Sequence, residues 1–331
     1  MKYRNFGNTD LKVSEIGFGA WAIGGGAMIG NTAIGWGDAD DQTSINAIFK
    51  SIDLGINFFD TADIYGLGHS EELIGKTIGK RKDIIIATKA GNVSRNNQFT
   101  IDYSKAHILK ACEASLLRLQ RETIDYYQLH TARLSHLQQG ECMEAMQLLQ
   151  QSGKIRYWGL SLNTFEPTAE SEYMLNNKLG QGFQCVYNII NQTAFSVIKN
   201  AGAAGFGIIA RMPLQFGLLT GKFDKAINFS ENDHRKNRLT KEIVDTCNEY
   251  LVPVWELCKK YNFSKTELAL SYILSYDEVS TVITGIRTAA QAEINSNGII
   301  KLEKEDMELI ERLGRTDFVE LMKIIRQQET K

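Results

Sequence analysis

The stretch "IIIATK", residues 84–89, reads as a strand that no half-exposed sheet would carry. Successive side chains in a strand point to opposite faces, so three isoleucines in a row demand apolar cover on both sides. Such burial belongs to parallel sheets flanked by helices. The run then stops at a lysine, which places a charge where a buried strand would end.

Similar short runs occur on either side. The candidate strands are 15–19, 57–60, 84–88, 126–130, 155–161, 183–187, 207–210 and 281–284. Between them lie segments of helical period. Residues 41–54 align Ile45, Ile48, Phe49 and Ile52, and residues 103–119 align Ile108, Leu109, Cys112, Leu116 and Leu119. Strand–helix alternation implies parallel pairing through right-handed crossovers. Eight such units in 331 residues suit a closed barrel better than an open doubly wound sheet. The expected fold class is α/β: a (β/α)8 TIM barrel, one domain over residues 1–331, with C-terminal extra helices. "YRNFGNTDLKVSEI", residues 3–16, reads as an N-terminal β-hairpin turning at Gly7-Asn8 and able to plug one barrel end. Residues 223–239 are polar and aperiodic, the pattern of a lid.

Composition narrows the function. Apolar residues are 43% of the chain, enough for a sizeable core, and 37 basic against 39 acidic residues leave a net charge of −2. That balance gives no pull toward nucleic acid or an anionic membrane. No run approaches the roughly 20 apolar residues of a membrane span, and the first residues do not read as a targeting segment. The five cysteines are scattered without a C-x-x-C pair, as in a cytoplasmic protein with reduced thiols and no zinc site. His69, His107, His136 and His234 lack metal spacing and read as surface or helix residues. The sequence specifies no oligomeric state.

In a barrel of this type, loops at the C-terminal strand ends build the active site. The polar residues there are Asp60 closing the second strand, Tyr65 in its loop, Lys89 closing the third and His130 closing the fourth. A free phenol, with a pKa of about 10, is a reluctant acid at neutral pH. A lysine ammonium beside it favours the phenolate, and an aspartate would keep that lysine charged and aimed. A neutral histidine could orient a carbonyl oxygen next to the phenol. Together they form a device for protonating an oxyanion that develops on a carbonyl carbon.

The segments "GINFFDTADIYGLGHSEELIGK" (55–76), "IIIATKAG" (84–91), "LLRLQRETIDYYQLH" (116–130) and "IRYWGLSLNTFEP" (155–167) resemble the signature segments of the aldo-keto reductase superfamily. The closest flavour is that of bacterial reductases resembling the inositol-operon and general stress enzymes. The resemblance implies NADP(H) bound extended without a Rossmann fold, no metal, a small-molecule carbonyl substrate and a tetrad at Asp60, Tyr65, Lys89 and His130. The same superfamily includes potassium-channel β-subunits, so a cofactor-binding sensor is the alternative.

"GFGAWA", residues 17–22, matches a weak dinucleotide-binding pattern, but Gly24-Gly25-Gly26 follow where a helix should open. By resemblance, Trp21 and Ala22 lie near the nicotinamide, and Ser161 and Gln184 match the binders of its carboxamide. The family's asparagine after that serine is replaced by Leu162, with Asn163 next. Residues 210–223 resemble the loop over the pyrophosphate and include Arg211, Met212, Pro213, Leu214, Gly217, Leu218 and Lys222. Arg211 stands where many relatives have an aromatic residue. Gly285 ends the eighth strand, Thr288 can cap the following helix, and Arg287 beside that helix end could grip a 2′-phosphate. Gln291 and Asn295, four apart, match positions near the adenine. The arginine at 287 argues for NADP over NAD.

Overall fold

The computed structural model describes residues 1–223 and 229–329. Its centre is a closed barrel of parallel strands: Ile16–Gly19, Phe58–Asp60, Ile85–Ala90, Ile124–His130, Ile155–Ser161, Gly182–Val186, Gly207–Arg211 and Thr281–Gly285. They pair in chain order, and the eighth closes on the first, with Thr284 opposite Phe18.

Inside-out alternation assigns each strand residue a face. Phe58, Ile85, Ala87, Tyr126, Ile209 and Ile283 form the barrel's inner cluster, whereas Phe59, Ile86, Tyr127, Leu129 and Leu160 pack outward under the helices. The isoleucine run is therefore buried on both faces. The same period of two turns Asp60, Lys89, Gln128 and His130 inward at the upper end of their strands. The third strand runs through Lys89 to Ala90, so the lysine is part of the strand rather than the first loop residue.

The N-terminal hairpin pairs Tyr3–Asn5 with Lys12–Ser14. It presents Phe6 to the barrel bottom, stacked 6.4 Å from Phe58 and edge-on 4.8 Å from Tyr126. A Cβ on Gly207 would stand 2.5 Å from the Phe6 ring, so the plug requires glycine there. The other end is left for the loops.

Helix Asp41–Asp53 starts at Asp40, whose carboxylate accepts from the Thr43 N–H at 2.6 Å. Its buried face is Ser44, Ala47, Ile48 and Ser51, while Phe49 is 48% exposed. This corrects the expected face at Phe49 alone, since Ile48 is buried and Ile45 and Ile52 pack partly buried against the core. The helix packs on helix Ala289–Ser296, and Phe49 falls at the edge of the apolar stripe, beyond Ile45 and Ile52. Helix Lys105–Leu119, capped by the Ser104 hydroxyl, buries Ile108, Cys112, Leu116 and Leu119 as expected. Helices Lys304–Arg315 and Asp317–Glu329 follow the barrel. Among the described residues no helix is long and apolar enough to cross a membrane.

Three loops rise around the barrel mouth. The first contains a 3-10 turn, Ala22–Gly24, where the glycines had argued against helix, and a hairpin pairing Met28–Ile29 with Thr32–Ala33. The second, unanticipated, is the hairpin Asn92–Arg95 with Gln98–Ile101 after the third strand. The third carries the 3-10 turns Gln215–Thr220 and His234–Asn237 after the seventh strand. Of the expected lid over 223–239, residues 224–228 lie outside the described residues. The remainder joins the first loop: the Gly37 N–H donates to Asn232 O at 3.3 Å, and the His234 N–H donates to Gly35 O at 3.1 Å.

Candidate active site

Four inward-facing positions on neighbouring strands bring charge to the top of the barrel. Lys89 Nζ donates to Asp60 Oδ1 at 2.6 Å, to the Thr61 carbonyl at 2.8 Å and to the Tyr65 hydroxyl at 3.4 Å. Both side chains of the ion pair are shielded from water, Lys89 completely and Asp60 to within 2%. Burial pushes the lysine toward losing its proton. The Asp60 carboxylate and the adjoining phenol outweigh this, so the ammonium is held above its ordinary pKa. The charge also lies over the Tyr65 ring, 4.9 Å from its centre.

His130 completes the group, edge-on to Tyr65 with ring centres 6.0 Å apart. Burial, reinforced by the positive charges of Lys89 and Arg211, keeps its pKa well below the usual histidine range. The ring is thus neutral. Its Nδ1 is buried without a partner among the described residues. The sequence grouping of Asp60, Tyr65, Lys89 and His130 is therefore one constellation in space.

Above it opens a cavity of about 650 Å³. Tyr65, His130, Trp21 and Ala22 line it, as do Arg211, Met212, Pro213, Leu214, Gly217 and Lys222 and, from the last strand and its helix, Gly285, Arg287, Gln291 and Asn295. Ser161 and Leu218 lie outside the lining. Ser161 is buried beneath Gln184, donating toward its Oε1 at 3.5 Å, and Leu218 is 4% exposed in the core. Gln184 Nε2 donates to Asp60 Oδ2 at 2.7 Å, so the amide expected at a cofactor also touches the ion pair.

Other expected contacts have definite partners. Asn163 Oδ1 accepts from the Phe165 and Glu166 N–H groups, each at 3.1 Å, and so braces its own loop. Arg211 donates to Leu162 O at 3.2 Å and to Thr164 Oγ1 at 3.3 Å. Thr288 caps its helix by accepting from the Gln291 N–H, while Gln291 Oε1 accepts from the Arg287 N–H at 2.7 Å. The Arg287 guanidinium reaches the first loop, donating to Trp36 O at 2.8 Å. In the loop after the seventh strand, Gly217 (φ 101°) and Gly221 (φ 73°) occupy left-handed backbone. Met212 and Phe216 adopt positive φ without being glycine, a costly arrangement that clusters at binding sites.

His234 opens the 3-10 turn His234–Asn237, but it is not a surface residue. It is 4% exposed and lines the cavity. Its ring stacks on Trp21 at 4.5 Å, and Trp21 in turn stacks on Tyr65 at 5.7 Å. Arg238 Nη1 lies 2.7 Å from His234 Nδ1, and since arginine only donates, Nδ1 accepts. Burial, with Arg238 next in effect, drives the His234 pKa down to about 3. Trp36, Phe216 and Phe99 are further lining residues that sequence reasoning missed. Nothing local marks them, because residues 36 and 234 meet only through loops crossing the barrel mouth.

The lining offers the Gln184 amide, glycine backbone at Gly217, and the polar side chains of Lys222, Arg287, Gln291 and Asn295. Closed parallel barrels with such a mouth form a recognisable class. The family model described as "Aldo/keto reductase family" matches residues 15–315, and the chain belongs to that family. The aldo-keto reductase YhdN of Bacillus subtilis (strain 168) is 34% identical over 308 residues, covering 88% of this chain and 87% of the relative. The NADH-specific methylglyoxal reductase of Escherichia coli (strain K12) is 27% identical over 338 residues, covering 95% and 98%. Among solved structures, the holo form of aldo-keto reductase AKR11C1 from Bacillus halodurans superposes with a TM-score of 0.75. It is 29% identical, and the match covers 95% of this chain and 96% of that one.

Proposed function

We propose that this protein reduces an aldehyde or ketone to the alcohol, reversibly, with NADPH as hydride donor. The observation that carries the reading is the buried Lys89–Asp60 pair set 3.4 Å from the Tyr65 hydroxyl at the mouth of the cavity.

The residues divide the work. A carbonyl oxygen seated between Tyr65 and the neutral His130 would accept a hydrogen bond from each, which fixes the orientation of its carbon. As negative charge grows on that oxygen, the Tyr65 hydroxyl supplies the proton. Lys89, kept cationic by Asp60, stabilises the phenolate left behind. Trp21 stacks against Tyr65 and keeps water from that face of the ring. Bound dihydronicotinamide would supply the hydride. Gln184, backed by the buried Ser161, would hold its carboxamide, the 210–222 loop its pyrophosphate, and Gln291 and Asn295 its adenosine. Arg287 supports NADPH over NADH because a guanidinium beside a helix N-terminus suits a 2′-phosphate.

NADPH oxidation with a panel of short aldehydes, measured for the parent and Tyr65→Phe, tests this reading. The parent should turn over and the variant lose about 10²- to 10⁴-fold in kcat. Equal rates in both proteins would overturn it. The alternative, a cofactor-binding regulatory subunit, predicts tight NADPH binding with no turnover in either protein.

A further inference from the structure

The Asp60 carboxylate uses both oxygens. Oδ1 accepts from Lys89 at 2.6 Å, while Oδ2 accepts from Gln184 Nε2 at 2.7 Å and Gln128 Nε2 at 3.1 Å. A carboxylate withdrawn from water needs such donors to replace the hydrogen bonds of its lost hydration.

The two glutamines sit differently. Both are fully buried, yet Gln184 lines the cavity and Gln128 lies outside the lining. Gln128 occupies the fourth strand between Tyr126 and His130, and the period of two turns all three toward the barrel interior. Its Nε2 faces Asp60, since a reversed amide would set oxygen against carboxylate. Its Oε1 is buried without a partner among the described residues. The Gln128 side chain thus has one contact to make, whereas Gln184 also faces the ligand space.

We propose that Gln128 is a dedicated positioning residue for the reaction. It keeps Asp60 aimed at Lys89 while Gln184 is released to exchange its Asp60 contact for a ligand's amide. This rests on the reductase reading above. Gln184 then links the cavity to the ion pair, and Gln128 supplies the link that ligand binding leaves untouched.

The test compares Gln128→Met and Gln184→Met by kcat and by NADPH Kd from fluorescence titration. Gln128→Met should lose about 10- to 100-fold in kcat, the scale of one charge-assisted hydrogen bond, with Kd within about twofold of the parent. Gln184→Met should weaken Kd as well as kcat. Because Gln128 acts through Asp60, adding Gln128→Met to Asp60→Asn should cost nothing further in kcat. A second variant, Gln128→Glu, provides a donor only when protonated, so its activity should rise as pH is lowered. Lys89, Tyr65 and Tyr126 are the other titratable groups facing Asp60, with His130 beyond Lys89, and all are common to both proteins. An unchanged kcat in Gln128→Met, an additive loss in the double variant, or parallel loss of cofactor binding and cooperative melting would each overturn the proposal. Tyr65→Phe run alongside separates the failures: full activity there sinks the reductase reading itself, whereas an inactive Tyr65→Phe beside a fully active Gln128→Met sinks only the role given to Gln128.

Discussion

Lys89 and His234 are both almost out of reach of water around the same aromatic group, yet they are held by different means. Lys89 belongs to a strand whose neighbours on both sides are hydrogen-bonded to it, and three acceptors fix its ammonium. His234 belongs to a loop joined to another loop by a few backbone bonds, with ring stacking as its main support. The contrast separates two tasks. On the proposed function, the barrel prearranges the proton chemistry and the crossing loops roof it, so damage to the strands should abolish turnover while damage to the loops should alter access.

Breaking the strand-held part gives the largest expected effect. Lys89→Met leaves Asp60 as a buried charge without its counter-ion, which costs about 3–5 kcal/mol of stability. Its kcat should also fall by at least about 10²-fold. Urea unfolding beside a turnover assay reads both. Elsewhere in the cavity lining, Arg287→Ala should weaken NADPH binding by about 10- to 100-fold, the value of a charge-assisted contact, and leave NADH binding nearly unchanged. Titration with each nucleotide checks that.

Both regions contribute to a pH effect. His130 and His234 are neutral in the fold because burial lowers their pKa, His130 well below the usual value and His234 to about 3. The unfolded chain takes up those protons below about pH 6.5. Stability is therefore full above that pH and is lost as pH falls toward the folded values, by about 1.4 kcal/mol per pH unit for each histidine. Urea titrations between pH 7 and 4.5 should show His234→Gln with a shallower slope than the parent. An identical slope would mean that the loop histidine is not held neutral. The smallest effect concerns the loop junction itself. Asn232 Nδ2 donates to Asp38 Oδ1 at 2.7 Å across the mouth, and Asn232→Ala should speed NADPH release by about 2- to 10-fold with little change in stability. Stopped-flow fluorescence measures that rate.

The same division explains what could be read from the sequence. Asp60, Lys89 and His130 stand at the ends of apolar runs, and period-two alternation turns them to one side, so their convergence follows from strand order alone. The glycines at 217 and 221 and the cap at Thr288 are likewise local signals. The position of His234 is not, because it depends on a path through polar residues that no periodicity constrains. Phe49 failed for a related reason: it lies at the edge of its helix's apolar stripe, and period alone does not say how far round the buried face extends. Gln128 escaped attention because an inward polar residue below a strand end has meaning only once its carboxylate partner on another strand is known.

The most direct measurement is single-turnover NADPH oxidation with a reactive aldehyde, comparing the parent with Tyr65→Phe at saturating cofactor. The account predicts unchanged NADPH binding in the variant and a hydride-transfer step slowed by at least about a hundredfold. Equal single-turnover rates would contradict it, because the proton would then come from a group other than the phenol beside Lys89.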